Sequence, residues 1–189
     1  MTFSLQNSPR IARILETVTI LCNLGFTYLY IQKSSLAFIL GIVGPLLLGY
    51  LSWHRKLLAD VLLQCFYVLI TIWGFLNLNT TWETTSVSAY NHLIGVSVSL
   101  IAGILLGWGL KKNTKAALPY FDSLITTFSI WSTILMMYGC EENWVYFIFI
   151  NFLCVFLFLK RKLYGIAFLY FVYFYLACEG YFKLGWIPG

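Results

Sequence analysis

Charge is scarce in this chain. Only 10 % of its 189 residues are charged, against about a quarter in a soluble domain. That scarcity excludes a soluble globular domain and a disordered chain. The five cysteines, Cys22, Cys65, Cys140, Cys154 and Cys178, form no CxxC pair. All but Cys140 sit inside apolar runs, where a thiol behaves as a small hydrophobe, so a disulfide scaffold is excluded too. No HExxH, paired-His or Cys/His spacing supports zinc or haem, and His54 and His92 stand alone in the sequence. A phosphate-binding GxxxxGK[ST] loop is missing, as is a Ser/His/Asp set placed in a membrane cavity. The sequence therefore predicts no enzyme, no metal and no cofactor. Arg10 and Arg13 precede an apolar run without a small-x-small cleavage site after it, which predicts a retained first span.

What is present is apolar: 60 % of residues. At ~20 residues per span, the length holds at most about seven or eight transmembrane helices. Seven apolar stretches lie between polar interruptions, at 15–32, 36–53, 57–78, 89–110, 120–138, 143–159 and 163–182. None alternates with period two, so a β-barrel is not expected. The formal net charge of +5 invites a nucleic-acid partner, yet the basic residues sit in small groups between apolar runs. A membrane protein places cytoplasmic anchors there, so the partner expected is the lipid bilayer, with no nucleic acid. If the helices alternate, one side receives Arg10, Arg13, Arg55, Lys56, Lys111, Lys112, Lys115, Lys160, Arg161 and Lys162, and the other only Lys33 and Lys183. This bias predicts a multi-pass protein of a bacterial-type inner membrane with a cytoplasmic N-terminus. The polar segment Asn79–Ser88 is then outside.

An offset of 106 residues aligns His54–Leu78 with Lys160–Leu184 without a gap. Arg55, Lys56, Leu57, Leu63, Tyr67, Gly74 and Leu78 recur as Arg161, Lys162, Leu163, Leu169, Tyr173, Gly180 and Leu184. The same offset places Glu16 on Asp122. The pattern predicts a single all-α transporter domain over residues 1–189. It would contain a three-helix repeat at 14–79, a linker helix at 80–115 and a second repeat at 116–186. An odd number of helices per repeat would invert the second unit, and the extra span restores its orientation. Parallel repeats of this kind pack about an axis along the membrane normal with the substrate path between them.

Several polar and aromatic residues share helical faces. In span 3, Gln64, Tyr67, Thr71 and Gly74 are spaced i, i+3, i+7, i+10. Their partners under the offset in span 7 include Tyr170 and Tyr173. In span 6, Trp144, Phe147 and Asn151 form a similar face, with Asn151 near mid-span. A carboxamide at that depth needs a partner, because lipid offers none. An interhelical hydrogen bond is one partner; a flat heteroaromatic ligand, stacked on the rings, is another. Thr126, Ser129, Ser132 and Thr133 of span 5 are expected to mediate packing. Glu16, Asp60 and Asp122 lie near helix starts, where a carboxylate complements the dipole of its own helix. Glu179 lies inside the last span; Lys183 at i+4 would be its partner, unless it meets a cationic substrate. Trp53, Trp82, Trp108 and Trp186, near span ends, read as interfacial anchors.

Leu62-Leu63-Gln64 with Trp73-Gly74, Tyr120-Phe121-Asp122-Ser123, and Glu142-Asn143-Trp144 with Asn151 resemble the PnuC-type vitamin transporters. So does the ending Leu169-Tyr170, Gly180-Tyr181, Trp186. The resemblance covers about residues 14–186. It implies seven helices in a 3+1+3 order, related to the SWEET sugar transporters, and facilitated diffusion of nicotinamide riboside, thiamine or a related vitamin. With no nucleotide motif and no acids grouped at mid-membrane, transport without coupling is expected, with trapping supplied elsewhere, for example by a cytoplasmic vitamin kinase; a homo-oligomer is compatible with the sequence. By the resemblance, Trp144 and Asn151 would hold the aromatic base, with Gln64 opposite. This chain differs at Phe147, where the family commonly has tryptophan, and at Thr71, where it commonly has asparagine. A membrane scaffold without substrate is the reading from another class, and a polar central face in both halves argues against it.

Overall fold

The computed structural model describes residues 9–31, 34–76 and 87–183. They form seven helices: α1 (Pro9–Ile31), α2 (Ala37–His54), α3 (Leu58–Leu76), α4 (Ala89–Asn113), α5 (Pro119–Met137), α6 (Asn143–Lys160) and α7 (Tyr164–Phe182). Trp82, Trp186 and most of the polar segment after span 3 lie outside the described residues. Five helices, α2, α3, α4, α6 and α7, are long and apolar enough to cross a membrane. α1 starts well before the expected residue 15, because Pro9 takes a first-turn position where its missing N–H costs nothing. α4 runs past residue 110 and ends on Lys111 and Lys112, cations that suit a helix C-terminus.

The helices pack in a closed order. α1 touches α2, α2 touches α3, α3 touches α5, α5 touches α6, α6 touches α7, and α7 returns to α1. α4 lies against α5 and, more lightly, α3. The bounds of α2 and α6 differ by 106 residues, and so do those of α3 and α7. The turns between them are alike. Lys56 (φ 59°) and Lys162 (φ 58°) both adopt the left-handed conformation, which ends a helix by bending its last carbonyls back onto following N–H groups. Leu57 N–H donates to Ser52 O and Leu163 N–H to Phe158 O, each at 3.0 Å. Arg161 Nη2 reaches across to Arg55 O at 2.6 Å, and Ala117 N–H donates to Lys56 O at 2.7 Å. The three basic turns therefore share one end of the molecule.

Two carboxylates fasten helices to one another near that end. Asp122 of α5, fully buried, accepts the backbone N–H groups of Ala59 (2.9 Å) and Asp60 (3.0 Å) at the start of α3. Glu16 of α1 accepts those of Gly165 and Ile166 at the start of α7. The acids thus complement a dipole, as the sequence predicts, but that of a distant helix. The first N–H groups of any helix have no partner within it, and a buried start draws one from whichever helix packs there.

The apolar core also lies towards the basic end, around Leu51, Leu57, Leu157, Phe158, Leu163 and Ile166. α3 buries Ala59, Asp60, Leu63 and Gln64 in its first half and none of its described residues so fully afterwards. Pro45 sits inside α2 and removes the N–H that would bind the carbonyl of Gly41. Thr71 of α3 supplies the missing donor, its Oγ1 lying 3.3 Å from Gly41 O.

Candidate functional site

Tyr67 of α3 and Tyr170 of α7 lie near enough to interact electrostatically. Tyr170 shares its electrostatic surroundings with Tyr67 and Asp60 of α3, Tyr173 of α7 and Cys154 of α6. Its ring stacks on Phe158 (centroids 5.0 Å apart, planes 11°) and meets Tyr173 edge-on at 6.0 Å. Thr133 and Ser129 of α5 lie near the Tyr67 hydroxyl, and Thr27 of α1 lies near that of Tyr173.

Gln64 is buried, and its Nε2 donates to Asp60 Oδ1 at 3.0 Å. The other oxygen of Asp60 accepts from Ser52 Oγ at 2.5 Å. The carboxamide of Gln64 is therefore held in a fixed orientation by a chain from α2 through Asp60. Asp60 itself is a positioning residue, although sequence alone marks it only as a helix start. Thr71 uses its hydroxyl proton on backbone, sharing it between Tyr67 O (2.7 Å) and Gly41 O. Its work is to cover the break at Pro45, and only its oxygen lone pairs remain for a ligand.

On α6, the Trp144 indole lies directly against Gly180 of α7, where an added Cβ would come within 2.6 Å of the ring. Glycine is required there by close approach, since no side chain fits between ring and backbone. Phe147 is half-buried one turn on. Asn151, two turns or about 10 Å from Trp144, is 7 % exposed. Among the described residues, no group hydrogen-bonds its carboxamide. The interhelical hydrogen bond that could have explained a mid-span asparagine is absent within that set.

Glu179 is buried beside Gly180. Its expected partner Lys183 turns elsewhere: its Nζ pairs with Glu141 at 3.3 Å. Lys183 adopts φ 50°, outside helical geometry, and this carries its side chain off the i, i+4 face. Of the span 5 residues, Thr126, Ser129, Ser132 and Thr133 are all buried, and Ser132 Oγ donates to Asn143 O at 3.1 Å, joining α5 to α6. A separate groove of about 670 Å³ runs between α4 and α5, lined by Val98, Ala102, Ile130 and Ile134 among others. None of the predicted site residues lines it, and its apolar wall suits lipid.

Residues 13–187 match the sequence pattern of the family described as nicotinamide mononucleotide transporter. No curated protein matches the chain. Among solved structures, the crystal structure of the vitamin B3 transporter PnuC is similar at a TM-score of 0.69 and 19 % identity, over 95 % of this chain and 83 % of that one. At that identity the likeness establishes the fold.

Proposed function

Since the chain belongs to the nicotinamide mononucleotide transporter family, and is a transporter rather than an enzyme, we propose that it carries a flat heteroaromatic vitamin, nicotinamide riboside, across the inner membrane. The observation that carries this reading is the face of α6. Trp144 is seated on Gly180, and two turns away Asn151 is buried without a hydrogen-bond partner among the described residues. An indole face stacks on a pyridinium ring and attracts its positive charge, while a carboxamide pairs with the ligand's own amide. Tyr67, Phe147, Tyr170, Tyr173, Gln64, Thr71 and Glu179 complete the proposed path. Thiamine also carries a cationic ring, and Phe147 in place of tryptophan keeps it as the second reading.

Transport is proposed as uniport. The chain has no nucleotide-binding loop, and Glu16, Asp60 and Asp122 are engaged in structural hydrogen bonds. Residues 14–79 and 116–186 are proposed as two parallel three-helix units that rock about the path, with residues 80–115 as linker. The shared offset of helix bounds and the reciprocal bonds of Glu16 and Asp122 support this division. A cytoplasmic kinase that phosphorylates the vitamin would trap it.

Tryptophan fluorescence of the detergent-solubilised protein tests the ligand. Nicotinamide riboside is expected to quench it saturably, thiamine more weakly, and nicotinamide mononucleotide less again, for want of a described cation on the path to meet its phosphate. No quenching by any of the three would favour the scaffold. Orientation is proposed from the clustered basic turns. In a cysteine-free background, an impermeant thiol reagent applied to intact cells is expected to label Ser35→Cys and spare Lys162→Cys; the reverse pattern would turn the molecule over.

A further inference from the structure

One group of side chains has no part in the proposed path. His92 in the first turn of α4, and Cys140 and Glu142 in the α5–α6 turn, each present a ligand atom, and these atoms all lie within 4.8 Å of one another. The imidazole is held from several sides. Its Nδ1 is 3.1 Å from the Tyr146 hydroxyl, its ring stacks on Tyr146 (6.0 Å, 19°), and it meets Trp131 edge-on at 6.5 Å. Nε2 is buried and has no hydrogen-bond partner among the described residues. The tautomer in which Nδ1–H donates to Tyr146 leaves a lone pair on Nε2, and a second-shell oxygen on the far nitrogen is the usual support of a metal-binding histidine. Cys140 is buried, and its thiol donates to Glu142 Oε2 at 2.7 Å. Burial lifts the Cys140 thiol above its ordinary value, and the hydrogen bond from Cys140 holds the Glu142 carboxyl below its own.

The geometry points to a binding site for a zinc-class divalent cation formed by His92, Cys140 and Glu142. A sulfur, an imidazole nitrogen and one carboxylate oxygen suit zinc, or cobalt as its stand-in, over magnesium or calcium, which prefer all-oxygen shells. Bond lengths of about 2.0–2.3 Å require donors somewhat over 3 Å apart, so Cys140 and Glu142, 2.7 Å apart, part to admit the ion, and His92, within 4.8 Å of both, closes on it. The step is an exchange: the cation takes the thiolate, and the thiol proton leaves to water. Water fills the fourth position. The bound ion would tie the start of α4 to the turn that leads into Trp144, stiffening one wall of the path. The sequence conceals this group because His92 lies far along the chain from Cys140 and Glu142, and no metal-binding spacing marks it.

The test uses full-length protein purified without a histidine tag, stripped with chelator and titrated with cobalt. One equivalent is expected, with a thiolate-to-cobalt charge-transfer band that zinc displaces and a rise in melting temperature. His92→Gln and Cys140→Ser should abolish the band, and Tyr146→Phe should weaken binding about 10-fold or more. Cys140 is buried, so Glu142→Gln, at an exposed position, serves as the variant that keeps the fold; it too should weaken binding. His54→Gln should change nothing. Absence of the band in wild type, or its persistence in both His92→Gln and Glu142→Gln, would overturn the site. Vitamin binding is a separate measurement, so either reading can fail alone.

Discussion

Asp122→Ala is expected to be the most destabilising single substitution at the basic end of the molecule. The side chain is fully buried and takes two backbone N–H groups at the start of α3. Removing it leaves two donors without partners, at about 1–3 kcal/mol each. Together the two lost bonds cost roughly 2–6 kcal/mol, which for a chain of this size lowers the melting temperature by roughly 4–24 °C. Asp122→Asn keeps one acceptor and should lose about half as much. Glu16→Ala removes the corresponding bonds at α7, yet Glu16 is only half-buried, so water replaces part of what is lost. Its effect should be smaller. An Asp122→Ala protein that melts with wild type would show that the start of α3 is held by something else.

The second large effect concerns the ligand. Trp144→Ala removes the stacking face, and Asn151→Leu removes the mid-span hydrogen-bonding group while roughly keeping its size. Each is expected to weaken nicotinamide riboside binding by about 1–3 kcal/mol, with less change in yield or melting temperature. Gly180→Ala separates position from presence: Trp144 remains, but the new methyl group displaces its ring. Binding should fall nearly as far as in Trp144→Ala. If all three variants bind as wild type does, the α6 face is packing and the site lies elsewhere.

The helices were legible because an apolar stretch bounded by charges needs no knowledge of its neighbours. The starts of α4 at Ala89 and α6 at Asn143 fall where hydropathy predicts. Helical periodicity is likewise a property of one segment, and it puts Tyr170 and Tyr173 on one side of α7, where their rings meet edge-on. What could not be read was which helix each polar group serves. Sequence displays only chain neighbours and so offers Asp122 the dipole of its own helix; in the fold it serves α3. The bond of Thr71 to Gly41 makes sense only beside the gap left by Pro45, which sequence does not place next to α3. Lys183 was matched with Glu179 by an i, i+4 rule that fails once the lysine leaves helical geometry. His92, Cys140 and Glu142 look isolated until α4 is packed against the α5–α6 turn.

The proposed uniport has one decisive consequence: the vitamin reaches equal concentration on both sides of a membrane and goes no further. Purified protein in sealed liposomes, supplied with radiolabelled nicotinamide riboside outside, measures that directly. The internal concentration is expected to rise to the external one and stop. External ATP, a proton gradient or a sodium gradient should leave that endpoint unchanged, while an enclosed riboside kinase with ATP should raise total label well beyond it. Several-fold accumulation of unmodified vitamin under either ion gradient would contradict the account and make Glu179 and Asp60 the first candidates for coupling.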